Sequence, residues 1–205
     1  MHKFFPFTNN RHKVNKKEEI ILKATGVVRR IDDLGRIVIP KEIRKVLRIK
    51  EGDPLEIFTD KEGEVILKKY SPIGELSEFA TGYAETLSKT TGHIACITDK
   101  DTVIAVSGGS KKEFLEQDLS QELEQLMDDK EVYLSKDNNE VSIPVIKNDN
   151  RERKFNSQVV YPIIAQGDVI GSVILLSKDA KTKMGETEAK VVESAAGFLG
   201  SQMDI

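Results

Sequence analysis

Cys96 is the chain's single cysteine, and His93 is the one histidine that lies beyond the first twelve residues. A reactive thiolate needs an exposed, electropositive setting. Cys96 instead falls inside the apolar run His93–Thr98, where a buried, inert thiol is the better reading. One cysteine gives neither an intramolecular disulfide framework nor a cysteine-based zinc site. His93 has no partner at metal-ligand spacing and reads as an edge residue. Ser107-Gly108-Gly109-Ser110 could cradle an anion on backbone N–H groups, but an ordinary loop leading into the helix at Lys111 is the better reading. No catalytic constellation, resident cofactor or metal site emerges, so the chain is expected not to be an enzyme.

The chemistry that remains is cationic. The chain carries a net charge of −3 overall, which conceals an asymmetry: residues 1–70 hold 17 Lys+Arg against 11 Asp+Glu, and residues 71–205 hold 14 against 23. A basic front and an acidic back point to an anionic partner at the front alone. Arg29, Arg30, Arg36, Arg44, Lys45 and Arg48 cluster there. The planar guanidinium fork suits both phosphates and guanine edges, whereas lysine acts as a point charge. The same residues could merely solvate strand ends and a helix surface, with Asp32, Asp33 and Glu42 as partners.

The elements that must position these cations are short. Ala24–Ile31 and Arg36–Ile39 read as strands around a turn at Asp32-Asp33-Leu34-Gly35. Pro40 opens a short helix, with Ile43, Val46 and Leu47 on one face. After the turn at Gly52-Asp53-Pro54, Leu55–Thr59 and Val65–Lys69 form a hairpin across Asp60-Lys61-Glu62-Gly63. A unit of 48 residues without cysteine or histidine is marginal on its own. The contiguous Ile37, Val38 and Ile39 fit strands buried on both faces, so a dimer is expected.

In this stretch the run TGVVRRIDDLGRIVIPKEIRKVL followed by GDPLEIF resembles the AbrB-type swapped-hairpin DNA-binding domain. The resemblance implies that two chains exchange hairpins to form one barrel with arginines facing double-stranded DNA. Carried over by position, the DNA-facing residues are Lys23, Arg29, Arg30, Arg36, Arg44 and Lys45. Residues 1–22 read as a disordered tail or an extended start, 23–70 as the DNA-binding domain and 71–74 as a linker.

Residues 75–205 read as an independent α+β domain. Helices are expected near Glu75–Lys89, Lys111–Glu116, Gln121–Asp129 and Glu186–Gln202. Strands are expected near His93–Thr98, Thr102–Ser107, Val141–Val145, Gln158–Ala165 and Val169–Ser177, with a charged loop at Ile146–Phe155. The hairpin around Gly167-Asp168, with its flanking helices, resembles a GAF domain, a small-ligand sensor fold. Ile97, Val106, Ile143, Val160, Ile164 and Ile174 could line a pocket for an unknown ligand or simply fill a core. The last helix, with Ala189, Val192, Ala195, Ala196 and Leu199, could pack between chains or on its own sheet.

The fold class is thus mixed: a small β-rich swapped-hairpin barrel (β-β-α-β-β, an intertwined dimer) followed by an α+β GAF-like domain. The combination resembles sporulation regulators built from an AbrB-type unit and a GAF-like unit. That implies a cytoplasmic, forespore-acting homotetramer that activates or represses late sporulation genes, dimeric through 23–70 and tetrameric through the second domain. An antitoxin-like or transition-state regulator and a ligand-binding GAF protein are the rival readings. No apolar run is long enough for a membrane span or secretory signal.

Overall fold

The computed structural model describes residues 25–61, 63–75, 77–135, 142–147 and 155–203. Lys23, the tail expected at 1–22, Val141 and most of the charged loop at 146–155 lie outside them. The chain divides into two compact units, 1–52 and 53–205.

In the first unit the backbone is irregular on either side of the turn at Asp33–Gly35, and one helix follows, α1 (Lys41–Val46). Pro40 precedes α1 as its cap, with φ −57° and ψ 147°, and its carbonyl accepts the Arg44 N–H at 2.9 Å. The helix stops where Arg48 takes a positive φ of 52°. This overturns the expected barrel: Ala24–Ile31 and Arg36–Ile39 form no strands among the described residues, and neither antiparallel sheet of the chain closes on itself. The physical reason lies in the side chains. Val28, Ile31 and Val38 are 87, 66 and 70 % exposed, so no apolar burial repays the entropy of ordering a ladder there.

The second unit begins with the hairpin β1 (Leu55–Thr59) and β2 (Val65–Lys69), in register from Leu55↔Lys69 to Thr59↔Val65. Next come α2 (Pro72–Glu75) and α3 (Ser77–Thr91), then β3 (Ile94–Thr98) and β4 (Val103–Ser107). Two short helices, α4 (Lys111–Phe114) and α5 (Gln121–Asp128), precede β5 (Tyr133–Ser135). The chain closes with β6 (Ser157–Ala165), β7 (Asp168–Ser177) and α6 (Glu186–Ser201). The five-stranded sheet has the order β4-β3-β7-β6-β5, and every pairing in it is antiparallel.

Alternation along the strands feeds two cores. Ala95, Ile97, Val173 and Leu175 pack under α3 and α6, against Ala84, Leu87, Val192 and Leu199. Cys96, Ile174 and Leu176 face the other way, toward Phe114, Leu123 and Leu126. Covered on both faces, β7 is buried from Val169 to Ser177. Of the strand expected at Val141–Val145, the described residues 142–145 form none. The buried Gln158 side chain accepts the Ile143 N–H at 2.8 Å and donates to its carbonyl at 3.0 Å, taking the place of a ladder.

The stretch 71–74 is fixed in place. Ile73 is completely buried within the core under α3 and α6. Ser71 Oγ donates to Asp99 Oδ2 at 3.1 Å, and Lys69 Nζ lies 2.5 Å from Asp101 Oδ2 and 3.6 Å from Asp53 Oδ2. Asp99 is held in turn by the N–H groups of Asp101 and Thr102 on its Oδ1, at 2.8 and 2.7 Å. The root of the hairpin is therefore fastened to the β3–β4 turn.

Candidate nucleic-acid interface

The first unit presents its cations to solvent. Arg29, Arg30, Arg36 and Lys45 are exposed, and Arg44 is half-buried on α1. Arg29 and Arg30 enter the turn, Arg36 leaves it, and the segment 37–43 separates Arg36 from Arg44 and Lys45. The latter two occupy the last turn of α1, where positive charge complements the helix dipole.

The turn itself is built around Asp32. Its N–H donates to the Arg36 carbonyl at 3.0 Å, and its own carbonyl accepts the Gly35 N–H at 3.0 Å. Gly35 takes φ +76°, a conformation that favours glycine. The Asp32 carboxylate accepts three more bonds: from Leu34 N–H at 3.0 Å, from Arg36 N–H at 2.8 Å and from Arg36 Nε at 2.8 Å. These donors, the Arg36 N–H first and its guanidinium second, hold the carboxyl below its ordinary range. The sequence offered Asp32 only as a general counter-charge; the Asp-x-x-Gly-Arg spacing was the signal for a specific clamp.

Among the described residues, the candidates for other chemistry do not converge on a site. Cys96 is fully buried, and burial pushes its thiol up to about 12, which leaves it protonated and inert. His93 is half-buried at the start of β3. Ser107-Gly108-Gly109-Ser110 joins β4 to α4. Of the apolar residues that could have lined a ligand pocket, Ile97 packs in one core and Val106, Val160 and Ile174 in the other, whereas Ile164 is 42 % exposed. A groove of about 650 Å³ runs between α3 and α6, lined by Tyr83, Thr86, Thr90, Glu186, Lys190 and Ser194 among others. Among the described residues no group of three or more His, Cys, Asp or Glu could hold a metal ion. No helix there is long and apolar enough to cross a membrane.

An exposed cationic segment is thus followed in the same chain by an antiparallel sheet layered between helices. The family model described as "Stage V sporulation protein T C-terminal, transcription factor" matches residues 75–204. A second model, the MazE bacterial antitoxin family of antidote–toxin recognition, matches residues 28–75. The chain is 55 % identical over 183 residues to stage V sporulation protein T of Bacillus subtilis, covering 89 % of this chain and 99 % of that one. It is also 55 % identical over 53 residues to the transition state regulatory protein AbrB of the same organism, covering 26 % of this chain and 54 % of the relative. The GAF domain of an Acinetobacter phosphoenolpyruvate-protein phosphotransferase superposes with a TM-score of 0.50 at 12 % identity, over 62 % of this chain and 81 % of that domain. This last likeness shows the fold of the second half. The chain belongs to the stage V sporulation protein T family.

Proposed function

We propose that residues 23–70 form a DNA-binding domain and residues 75–205 a GAF-like regulatory domain, and that the protein sets late gene expression in the forespore. It is a non-catalytic transcription regulator that binds double-stranded DNA as a homo-oligomer and acts in the cytoplasm. The observation that carries this reading is the coincidence, within residues 25–48, of solvent-facing arginines with apolar side chains that a single chain leaves uncovered. Exposed apolar side chains grouped along one segment in this way support an interaction face. A second copy of the same segment would cover it and double the cationic surface. The antitoxin-type match reaches only the front of the chain, whereas the sporulation relative spans nearly all of it.

Lys23, Arg29, Arg30, Arg36, Arg44 and Lys45 are proposed as the DNA contacts. Most of them would dock on phosphates and fix orientation, with a few arginines reading base edges. The second domain would pair such dimers into a tetramer. Support comes from the aromatic group Phe79, Tyr83 and Phe198 on α3 and α6, with ring centroids 5.7–6.1 Å apart and both phenylalanines partly exposed. Linking two DNA-binding units raises the effective affinity of each through local concentration.

Arg36→Ala tests the interface. DNA affinity in a gel-shift titration should fall by about 1–3 kcal/mol if Arg36 reads a base, with the oligomer mass unchanged. Undiminished binding removes Arg36 from the interface.

A further inference from the structure

Arg36 is 69 % exposed, yet its side chain is not loose: Nε is bound at 2.8 Å by the carboxylate of a residue four positions earlier. The same carboxylate also takes the Arg36 N–H and the Leu34 N–H, so guanidinium and turn share one anchor. A guanidinium has five N–H donors in a rigid fork. With Nε–H committed to Asp32, the two Nη atoms still offer one N–H each as an end-on parallel pair suited to two parallel acceptors.

We propose that Asp32 is a positioning residue for DNA recognition: it grips the Nε edge of Arg36 and presents the Nη edge to a base or phosphate. The inference rests on the reading of Arg36 as a DNA contact. Two effects of the carboxylate oppose each other. It repels phosphates, which weakens binding to any duplex. It also fixes a side chain that would otherwise lose rotamer freedom on binding, which favours the one geometry that fits. Asp32 therefore raises discrimination between sequences more than it raises affinity.

The test uses the full-length oligomer and two duplexes: one selected from random sequence by the wild-type protein, and a scrambled duplex of equal length. Asp32→Asn keeps an oxygen that can accept the turn N–H groups but removes the charge that holds Nε. The ratio of selected to scrambled affinity should fall about tenfold, the scale of one bidentate arginine contact, while scrambled binding holds or tightens. In the Arg36→Ala background the same change should leave the ratio unaltered, as a double-mutant cycle requires of coupled residues. An equal fall in both backgrounds would mean that Asp32 serves the turn alone, and overturns the proposal. An unchanged ratio in Asp32→Asn, with Arg36→Ala effective, overturns it while the Arg36 contact stands. If Arg36→Ala alone leaves the ratio unchanged, both fall. Should Asp32→Asn lower the thermal midpoint, Arg36→Lys carries the test: it keeps the charge, removes the fork and should reproduce the loss of discrimination. A wild-type ratio there overturns the proposal.

Discussion

Among the described residues, most of the exposed large apolar side chains lie between Val27 and Tyr70, and every buried apolar side chain lies at Ile73 or beyond. The two regions are therefore stabilised from different sources. The five-stranded sheet and its helices hold two complete cores within one chain. The front region has the turn, α1 and one hairpin, and a lone two-stranded hairpin is marginal in water. Its stability must depend on what associates with it, whereas the sheet has its cores complete within one chain.

The largest expected effect probes the self-sufficient half. Leu175 is completely buried between the sheet and the helices α3 and α6. Leu175→Ala should cost about 2–5 kcal/mol, from lost transfer energy and the cavity left behind. In denaturant titrations of the second domain's transition, that cost should be the same at every protein concentration. Val38→Ser probes the other half. In an isolated chain a residue 70 % exposed should tolerate the change within about 0.5 kcal/mol. If association covers Val38, oligomer mass at low concentration should drop and the melting temperature should become more concentration-dependent. A concentration-independent result would break the comparison, because the front would then be stable without a partner.

The smallest effect concerns the start of α6. Glu188 Oε2 accepts the Gly185 N–H at 2.8 Å, and that bond, more than the nearby His93, holds the carboxyl below its ordinary value. Glu188→Gln should cost about 0.5–1 kcal/mol, the scale of a helix cap. The sign follows from the lowered value. The charged form is favoured in the folded state, so its contribution is present above the carboxyl's unfolded pKa, about 4.3. It is lost as pH falls through the lower, folded value. Thermal melts of wild type and variant should therefore converge in acid and separate toward neutrality.

What could be read in advance divides along the same line. Leu55–Thr59 and Val65–Lys69 pair as expected, and β3, β4, β6, β7 and α6 fall within a residue or two of their expected bounds, because alternation and turn residues there agree with a core the chain itself supplies. The strands expected at 24–31 and 36–39 fail because their apolar side chains find nothing to bury against in one chain. The described stretch 142–145 fails for a different reason, since Gln158 satisfies the Ile143 backbone from a distance that no local pattern encodes. The three-residue β5 (Tyr133–Ser135) was too short to show a period. Of the cationic candidates, composition located Arg29, Arg30, Arg36, Arg44 and Lys45 on the surface, but the Asp32–Arg36 clamp needed geometry.

The fastening of the hairpin root to the β3–β4 turn has a mechanical consequence. Lys69 and Ser71 are tied to Asp101 and Asp99, and Ile73 is sunk in the core, so the hairpin of β1 and β2 is rooted in the β3–β4 turn of the five-stranded sheet. Five residues at about 3.4 Å each make an arm of roughly 17 Å. A tilt of the turn by about 5° would swing the tip by roughly 1.5 Å over such an arm, half the length of a hydrogen bond. For a hairpin that stays straight, a small rotation at the β3–β4 turn would be larger at the hairpin's tip than at its root.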